Sequence, residues 1–450
     1  MTYFNKVLIA NRGEIARRIM RTCKKLGIQT VAVYSDADQE APFVKEASEA
    51  VHIGPSQAKK SYLQVDKVLQ AAKETNADAI HPGYGFLSEN EGFARRCTEE
   101  GITFIGPTPE VISLMGSKIE ARKQMEKAGV PVVPGWSGNI ETVEEALRIA
   151  DELTYPLMLK ASAGGGGIGM ELVRNAEELE KVFSSTKQKA DSFFGDGTVF
   201  LEKWIENPRH IEVQVACDEH GNAVHLFERE CSIQRRNQKI VEESPSPFLD
   251  EKVRKDLCET AVRGVCNINY TNVGTMEFIF DEHQNYYFLE MNTRLQVEHP
   301  VTEEITGLDL VELQLKIASG EKLGLTQKDI QKSGHSIEVR LYAEDPNTFF
   351  PSPGTIQKLD VPTDGVRLDF AVEEGSTVSP FYDPMIGKII AFDVNRNAVI
   401  EKMDNALRGL KVEGITTNLE LLEDIVIDED FKNGNFTTKF VENRAAKQKA

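Results

Sequence analysis

The chain has 450 residues, 40% hydrophobic and 27% charged, with a formal net charge of -19 at pH 7. That length exceeds what one hydrophobic core usually supports, so about three domains are expected. The acidity excludes a general nucleic-acid binder, which needs concentrated Lys and Arg. No apolar run approaches the roughly 20 residues of a membrane span. The opening MTYFNKVLIANRGE enters a strand pattern at once, without a charged-then-apolar leader, and a cytoplasmic protein is expected.

Six cysteines, Cys23, Cys97, Cys217, Cys231, Cys258 and Cys266, form no C-x-x-C pair. Reduced, mostly buried thiols are expected, and zinc is not.

Lys6 to Ala10 reads as a strand, Glu14 to Leu26 as a helix ended by Gly27, and Gln29 to Tyr34 as a second strand, together a β-α-β unit. A similar pattern in Tyr62 to Thr75, Ala79 to His81, Asn90 to Glu100 and Thr103 to Ile105 predicts an open, mostly parallel sheet down to about Val111. The first turn, ANRGE, lacks the dinucleotide fingerprint, and the glycines of HPGYGFLSEN sit where a tight turn is their ordinary role. Ser113 to Ala128 reads as a helix closed by Gly129, and the following VPVVPG marks a boundary or hinge. Lys118 near that helix start would, alone, be a solvated surface residue.

In YPLMLKASAGGGGIGMELV, a strand from Pro156 to Ala161 carries Lys160 near its end, glycines follow, and Met170 to Val173 is a second apolar run. A strand after the glycines rules out the dinucleotide reading, and no Lys-Ser or Lys-Thr follows to make a Walker A loop. A glycine hairpin can fold its N–H groups over a triphosphate while a preceding lysine supplies charge; a flexible surface hairpin is the competing reading. TVFLEKWIE reads as a strand carrying Glu202 and Lys203. His210, Glu212 and Gln214 alternate with Ile211, Val213 and Val215 on the next strand. Arg235, Arg236 and Lys239 precede Glu242 and Glu243, which fits either an anion site or an ion-paired surface.

The stretch GTMEFIFDEHQNYYFLEMNTRLQVEHP carries the densest signal. Thr275 to Phe280 and Tyr286 to Glu290 flank a polar turn, a hairpin pattern. If Asp281 pairs with Tyr286, Glu277 lies opposite Glu290, and facing carboxylates persist most easily with a cation between them. Oxygen ligands point to magnesium. Asn292, Arg294, Gln296 and Glu298 continue at every second position, so an extended segment would put them on one face. A half-buried edge strand explains alternation alone, but mixed charges continuing a carboxylate pair favour a site.

The glycine hairpin after Lys160, HPGYGFLSEN, RRNQKIVEE and EMNTRLQVEHPVTEE together resemble biotin carboxylase, an ATP-grasp enzyme of the biotin-dependent carboxylases. The resemblance spans nearly the whole chain, and EMNTRLQVEHPVTE is its most specific part. It implies an α/β and α+β multidomain fold: an N-terminal domain with an open parallel sheet over 1–112, an ATP-grasp domain over 113–330 with a glycine-rich lid at about 132–203, and a mixed α+β C-terminal domain over 331–450.

The resemblance also implies residue roles. Lys118, Lys160 and the glycine loop, Gly165 and Gly166 included, would hold ATP phosphates. Glu202, Lys203, Ile205, His210, Gln234 and Asn237 would complete the nucleotide site, and Glu277, Glu290 and Asn292 would hold magnesium or manganese. Lys239, Arg294, Gln296 and Val297 would form the bicarbonate pocket. Glu298 would be the general base that deprotonates bicarbonate for attack on the γ-phosphate. Arg340, on HSIEVRLYAEDP, would steady the enolate-like oxygen of biotin after carboxyphosphate breaks down in a closed site. The family's glycine loop usually carries Arg or Lys where this chain has Ile168, and its basic motif usually reads His where this chain has Asn237; both departures bear on nucleotide contacts and leave the catalytic groups intact.

Ser336 to about Asn443 reads as short strands followed by a helix from Ala398 to Leu410 and another near Asn418 to Ile425. No Met-Lys biotinylation dipeptide occurs, so biotin is expected on a separate carrier protein, with carboxyltransferase subunits as further partners and a homodimer as the assembly. The expected activity is the biotin carboxylase half-reaction of acetyl-CoA carboxylase in fatty acid biosynthesis. A subunit of another acyl-CoA carboxylase is one alternative. An ATP-grasp carboxylate-amine ligase, which would share the phosphate and metal residues but not need Arg294, Glu298 and Arg340, is another. A non-enzymatic regulatory subunit would lack catalytic residues, and all are present here.

Overall fold

The computed structural model describes residues 3–136, 138–163, 169–362 and 365–448. The first sheet is wholly parallel, in the order β3-β2-β1-β4-β5. Its strands are β1 (Lys6–Ile9), β2 (Gln29–Ser35), β3 (Glu49–Gly54), β4 (Ala79–His81) and β5 (Thr103–Phe104). Helix α1 (Gly13–Lys25) follows β1 and buries Ile15, Ala16, Ile19 and Cys23. These are the near-continuous apolar runs of strands covered on both faces. Gly83 and Gly85 adopt positive φ in the turn after β4, the tight-turn role expected for them.

The anticipated single helix over Ser113 to Ala128 is two, Pro109–Gly116 and Lys118–Lys127. Ser117 between them is extended, and its hydroxyl caps the second helix by accepting from the Glu120 N–H. Lys118 is thereby the first residue of a helix, not a side chain on a helix face.

A small antiparallel sheet follows, with β6 (Leu157–Ala161) between β7 (Met170–Val173) and β8 (Val199–Lys203). The helices Val143–Leu153 and Ala176–Phe194 flank it. Ile149, Leu157, Leu159, Leu179, Phe183 and Leu201 close a separate apolar core here. The loop glycines Gly164 to Gly167, with Ile168, lie outside the described residues, and so do the expectations placed on Gly165 and Gly166.

The remaining strands that matter for the site are β9 (Arg209–Cys217), β10 (Ala223–Arg235), β11 (Gln238–Ser244), β12 (Asn272–Phe280), β13 (Tyr286–Asn292) and β14 (His335–Tyr342). With Met385–Asp393 and Val366–Phe370 they make one eight-stranded antiparallel sheet, in the order β13-β12-β9-β10-β11-β14 and then those two. Period-two patterning assigns its faces. On β9, Ile211, Val213 and Val215 enter a core with Met276 and Phe278, leaving His210, Glu212 and Gln214 opposite. On β14, Ile337, Val339 and Leu341 pack against Val399, Met403 and Leu407 of the helix Arg396–Gly409 and Ile425 of the helix Leu419–Ile427, leaving Glu338 and Arg340 opposite. Both polar faces turn towards one cavity.

Five of the six cysteines are buried and all are free, as expected. Among the described residues no helix is long and apolar enough to cross a membrane.

Candidate active site

The β12–β13 hairpin sets the cavity floor. Its turn is one residue longer than expected: Phe280 pairs with Tyr286, Ile279 with Tyr287 and Phe278 with Phe288. The register then shifts, Leu289 being the extra residue, and Glu277 still lies opposite Glu290. The chain does not stay extended beyond Asn292. It leaves the sheet, turns, and begins the helix His299–Thr306 immediately after Glu298, so the one-face expectation for Asn292 to Glu298 fails in its geometry. The turn still delivers all four polar residues to the same place.

That place is a cavity of about 780 Å³. Lys118, Lys160, His210, Gln234, Asn237, Lys239, Glu277, Glu290, Asn292, Arg294, Gln296, Val297, Glu298 and Arg340 all line it. Glu202, Lys203 and Ile205 do not line it. Glu202 on β8 is ion-paired with Lys160 and stands 3.6 Å from Arg122. The Lys203 ammonium donates to the Thr154 carbonyl and hydroxyl, both at 2.8 Å, and Ile205 is half-buried in the loop after β8.

Lys239 on β11 is the centre of the charged cluster. Its Nζ donates to Glu212 Oε2 at 2.6 Å, Glu277 Oε1 at 3.0 Å and Glu298 Oε1 at 2.6 Å. Burial opposes its charge, but the Cys231 sulfur and these carboxylates raise its pKa well above the usual lysine value. Glu298 is completed by Arg340, whose Nη2 stands 2.9 Å from Oε2. Burial would raise the Glu298 pKa; Lys239 and Arg340 override it and hold the carboxyl well below its usual range. Burial likewise opposes ionisation of Glu277, and Lys239 and His210 win, keeping it ionised.

Arg294 is fixed on three sides. Its Nε donates to Glu89 Oε2, its Nη1 to Gln296 Oε1 and its Nη2 to Asn292 Oδ1, each at 2.9 Å. His210 Nε2 is 2.9 Å from Glu277 Oε2, and His210 Nδ1 meets Gln234 Nε2 at 2.9 Å. Beneath the cavity, fully buried Arg229 donates to Glu212 Oε1 at 2.6 Å, Gln214 Oε1 at 2.7 Å and Thr302 Oγ1 at 2.9 Å.

The basic cluster divides. Lys239 enters the cavity, whereas Arg235 is ion-paired inward with Glu344 and exposed Arg236 donates to the Thr348 carbonyl at 3.1 Å.

Residues 3–112 match the "Biotin carboxylase, N-terminal domain" family, 117–326 the "Carbamoyl-phosphate synthase L chain, ATP binding domain" family and 338–443 the "Biotin carboxylase C-terminal domain" family. Biotin carboxylase 2 of Bacillus subtilis is 60% identical over 439 residues, covering 97% of this chain and 99% of that protein. The chain belongs to the biotin carboxylase family.

Human mitochondrial propionyl-CoA carboxylase alpha chain is 50% identical over 97% of this chain, which spans 61% of that longer protein. The biotin carboxylase–beta-gamma-ATP complex of Campylobacter jejuni superposes with a TM-score of 0.96 at 46% identity, covering 98% of this chain and 99% of that one. The biotin carboxylase domain dimer of Hydrogenobacter thermophilus 2-oxoglutarate carboxylase, solved with MgADP, ADP and bicarbonate, superposes at 0.94 with 50% identity and 98% coverage of both chains. The multidomain α/β architecture is that of biotin carboxylases, and ATP-dependent carboxylation of biotin is the activity of this chain's family.

The donor set of this biotin carboxylase fits a hard cation at the hairpin. Among the described residues the Glu290 carboxylate makes no hydrogen bond or ion pair, and burial together with the Glu277 charge opposite raises its pKa. Oxygen donors at that position suit magnesium. His210, Glu212 and Glu277 also converge, as do Glu212, Cys231 and Glu298, with ligand atoms within 4.8 Å. The Lys239 ammonium already bridges Glu212, Glu277 and Glu298, so a cation is built into both groups.

Several residues of the site were not singled out from sequence. Glu89, from HPGYGFLSEN, accepts from the Arg294 side chain and the Thr293 N–H. Tyr84 from the same stretch lines the cavity and its hydroxyl donates to Glu14. Fully buried Lys388 donates to the Val297 carbonyl at 2.7 Å. The motif was visible, but Glu89 lies 204 residues from Thr293 and Lys388 lies 91 from Val297, and pairing at such separations leaves no local periodicity.

Proposed function

We propose that this chain carboxylates biotin with bicarbonate, using Mg-ATP, on a biotin carboxyl carrier protein that is a separate chain. This is the first half-reaction of acetyl-CoA carboxylase in fatty acid biosynthesis, with carboxyltransferase subunits completing the system. The observation that carries the reading is Glu298, held between Lys239 at 2.6 Å and Arg340 at 2.9 Å on one side of the cavity.

Lys118 and Lys160, with Gly165 and Gly166, bind the ATP phosphates; burial lowers the Lys118 pKa, so a polyphosphate arriving beside it restores the ammonium's counter-charge. Glu202, Lys203, Ile205, His210, Gln234 and Asn237 complete the nucleotide site. Glu277 and Glu290, anchored by Asn292, would hold magnesium or manganese, which when bound neutralises and orients the triphosphate. Lys239, Arg294, Gln296 and Val297 hold bicarbonate. Glu298, ionised at neutral pH, accepts the bicarbonate proton as the oxygen attacks the γ-phosphorus. The cationic field that makes Glu298 a weak base also acidifies bicarbonate and stabilises the dianion formed, so both sides of the transfer are lowered together. The resulting carboxyphosphate releases carbon dioxide and phosphate, the phosphate takes the ureido proton of biotin, and Arg340 steadies the oxygen that becomes negative.

The family matches over 3–112, 117–326 and 338–443 support domain limits at 1–112, 113–330 and 331–450, although one sheet continues across the second limit through the β11–β14 pairing; the three-stranded sheet inside 132–203 is read as the lid. The dimeric relative supports a homodimer. A cytoplasmic location accords with an acidic chain that has no apolar spanning helix among the described residues.

Magnesium-dependent ATP hydrolysis, measured with bicarbonate and with and without free biotin, tests this reading. Strong stimulation by biotin is expected; an active ATPase indifferent to biotin would favour a carboxylate-amine ligase.

A further inference from the structure

Behind Arg340 the sheet places two buried carboxylates face to face. Glu242 on β11 and Glu338 on β14 are register partners and both are fully buried. Glu242 Oε1 is ion-paired with Arg340 Nη2. Glu242 Oε2 and both oxygens of Glu338 have no hydrogen-bond partner among the described residues.

The charged groups that face this pair can be named element by element. Arg340 lies on Glu338's own strand. Lys239 lies on Glu242's own strand, Cys231, whose thiol burial keeps protonated, lies on β10, and Glu298 comes from the turn before the helix His299–Thr306. Lys388 comes from the strand Met385–Asp393; its hydrogen bond goes to the Val297 carbonyl at 2.7 Å, with Glu14 of α1 at 3.4 Å. On the other face of β14, Ile337, Val339 and Leu341 pack against apolar side chains of the two C-terminal helices. Arg340 compensates one carboxylate, and Lys388 is shared with Val297 and Glu14. Two directly opposed carboxylates in a buried sheet repel, and an unpartnered buried acceptor is costly. A single proton removes both costs, because a protonated carboxyl is a donor aimed at its neighbour.

We propose that Glu338 is protonated in the working enzyme and is a positioning residue, donating its O–H to Glu242 so that Glu242 stays ionised and holds Arg340 against Glu298. The electrostatics agree with the geometry: burial pushes Glu338 well above its usual value and Glu242 up to about 7, the pattern of two carboxyls that share one proton. The kinetic consequence rests on the assignment of Arg340 to the biotin oxygen; the shared proton does not.

The test compares full-length wild type with Glu338→Gln, whose amide is close in shape to a protonated carboxyl and has no proton to lose. Infrared difference spectroscopy at neutral pH should show a protonated-carboxyl band in wild type that the variant lacks. In steady-state assays at saturating Mg-ATP and bicarbonate, wild-type kcat/KM for biotin should fall on the alkaline side by up to about tenfold per pH unit, through KM, as the pair loses its proton. The variant should keep the neutral-pH KM and lose that limb. An unchanged carboxyl band, an unchanged alkaline limb in the variant, or a variant that cannot fold would each overturn the proposal, since an ionised Glu338 is what a neutral amide fails to replace. Wild type without any biotin-dependent activity would instead sink the functional reading, and the infrared comparison would still decide the shared proton.

Discussion

The Lys239 ammonium and the Glu298 carboxylate meet at 2.6 Å, brought together from a strand and from the last residue before a helix. Lys239 also bridges Glu212 and Glu277, so the carboxylate read as the base shares its counter-cation with a carboxylate proposed to hold the metal. On the proposed reading, bicarbonate entering here would exchange one anionic partner of Lys239 for another, so that binding and activation use the same charge.

Glu298→Gln keeps the side chain's size and removes its ability to take a proton. Bicarbonate- and biotin-dependent ATP cleavage should fall by about 10²- to 10⁴-fold, the usual contribution of a general base. Binding of ATP, followed by equilibrium titration, should be nearly unchanged. A variant within threefold of wild type, a loss well under what about one pKa unit of driving force gives, would remove Glu298 from that role.

The Glu290 carboxylate makes no hydrogen bond or ion pair among the described residues, so its charge is available to a cation. Glu290→Gln should raise the magnesium concentration needed for half-maximal ATP cleavage by at least about tenfold, a loss that weaker outer-shell changes already produce at metal sites. Chelation with EDTA should abolish activity in both proteins, and excess magnesium should restore the wild type first. An unaltered magnesium requirement would count against the hairpin as the metal site.

Arg229 is fully buried and satisfies Glu212, Gln214, Thr275 and Thr302. Arg229→Met leaves Glu212 with only Lys239, which would then be drawn away from Glu298. Removing one partner of a buried pair costs about 3–5 kcal/mol. The urea midpoint should drop accordingly, and activity should fall even where the variant remains folded. Wild-type stability in the variant would show that the network is compensated elsewhere.

Glu243 lies on the same strand as Lys239 with its side chain bound to Arg396 and His335. Burial alone would raise its pKa, but Arg396 and His335 hold it down to about 2 from an ordinary 4.5. A depressed carboxyl contributes stability that is present above the unfolded value and is lost as pH falls towards the folded one. Glu243→Gln should therefore lower Tm at neutral pH and flatten the fall of Tm between those two values. An identical acid limb in the variant would contradict the assignment.

The paired carboxylates Glu277 and Glu290 were legible because a hairpin imposes a countable register, although the turn came out one residue longer and the shift at Leu289 restored the pair. Polar alternation from Asn292 to Glu298 was also legible, but the extended geometry inferred from it was not correct: Arg294, Gln296 and Glu298 gather through a turn and a helix start. Alternation records which side chains are polar; it does not distinguish a strand from a loop folded around one cavity. The second helix at Lys118 was hidden by the continuous helical pattern across Ser117. Least legible were Glu89, Lys388, Glu242 and Glu338, whose importance lies in contacts between distant segments. Nothing in their immediate neighbours separates them from ordinary surface charges.

The central claim is that this cavity transfers carbon from bicarbonate to biotin with Glu298 as the base. The direct measurement is formation of carboxybiotin from ¹³C-bicarbonate, with Mg-ATP and free biotin, by wild type and by Glu298→Ala. Labelled carboxybiotin from the wild type, in step with ADP, and its loss in the variant is the predicted result. ADP formed by the wild type without labelled carboxybiotin, or equal labelling by the variant, would contradict the account.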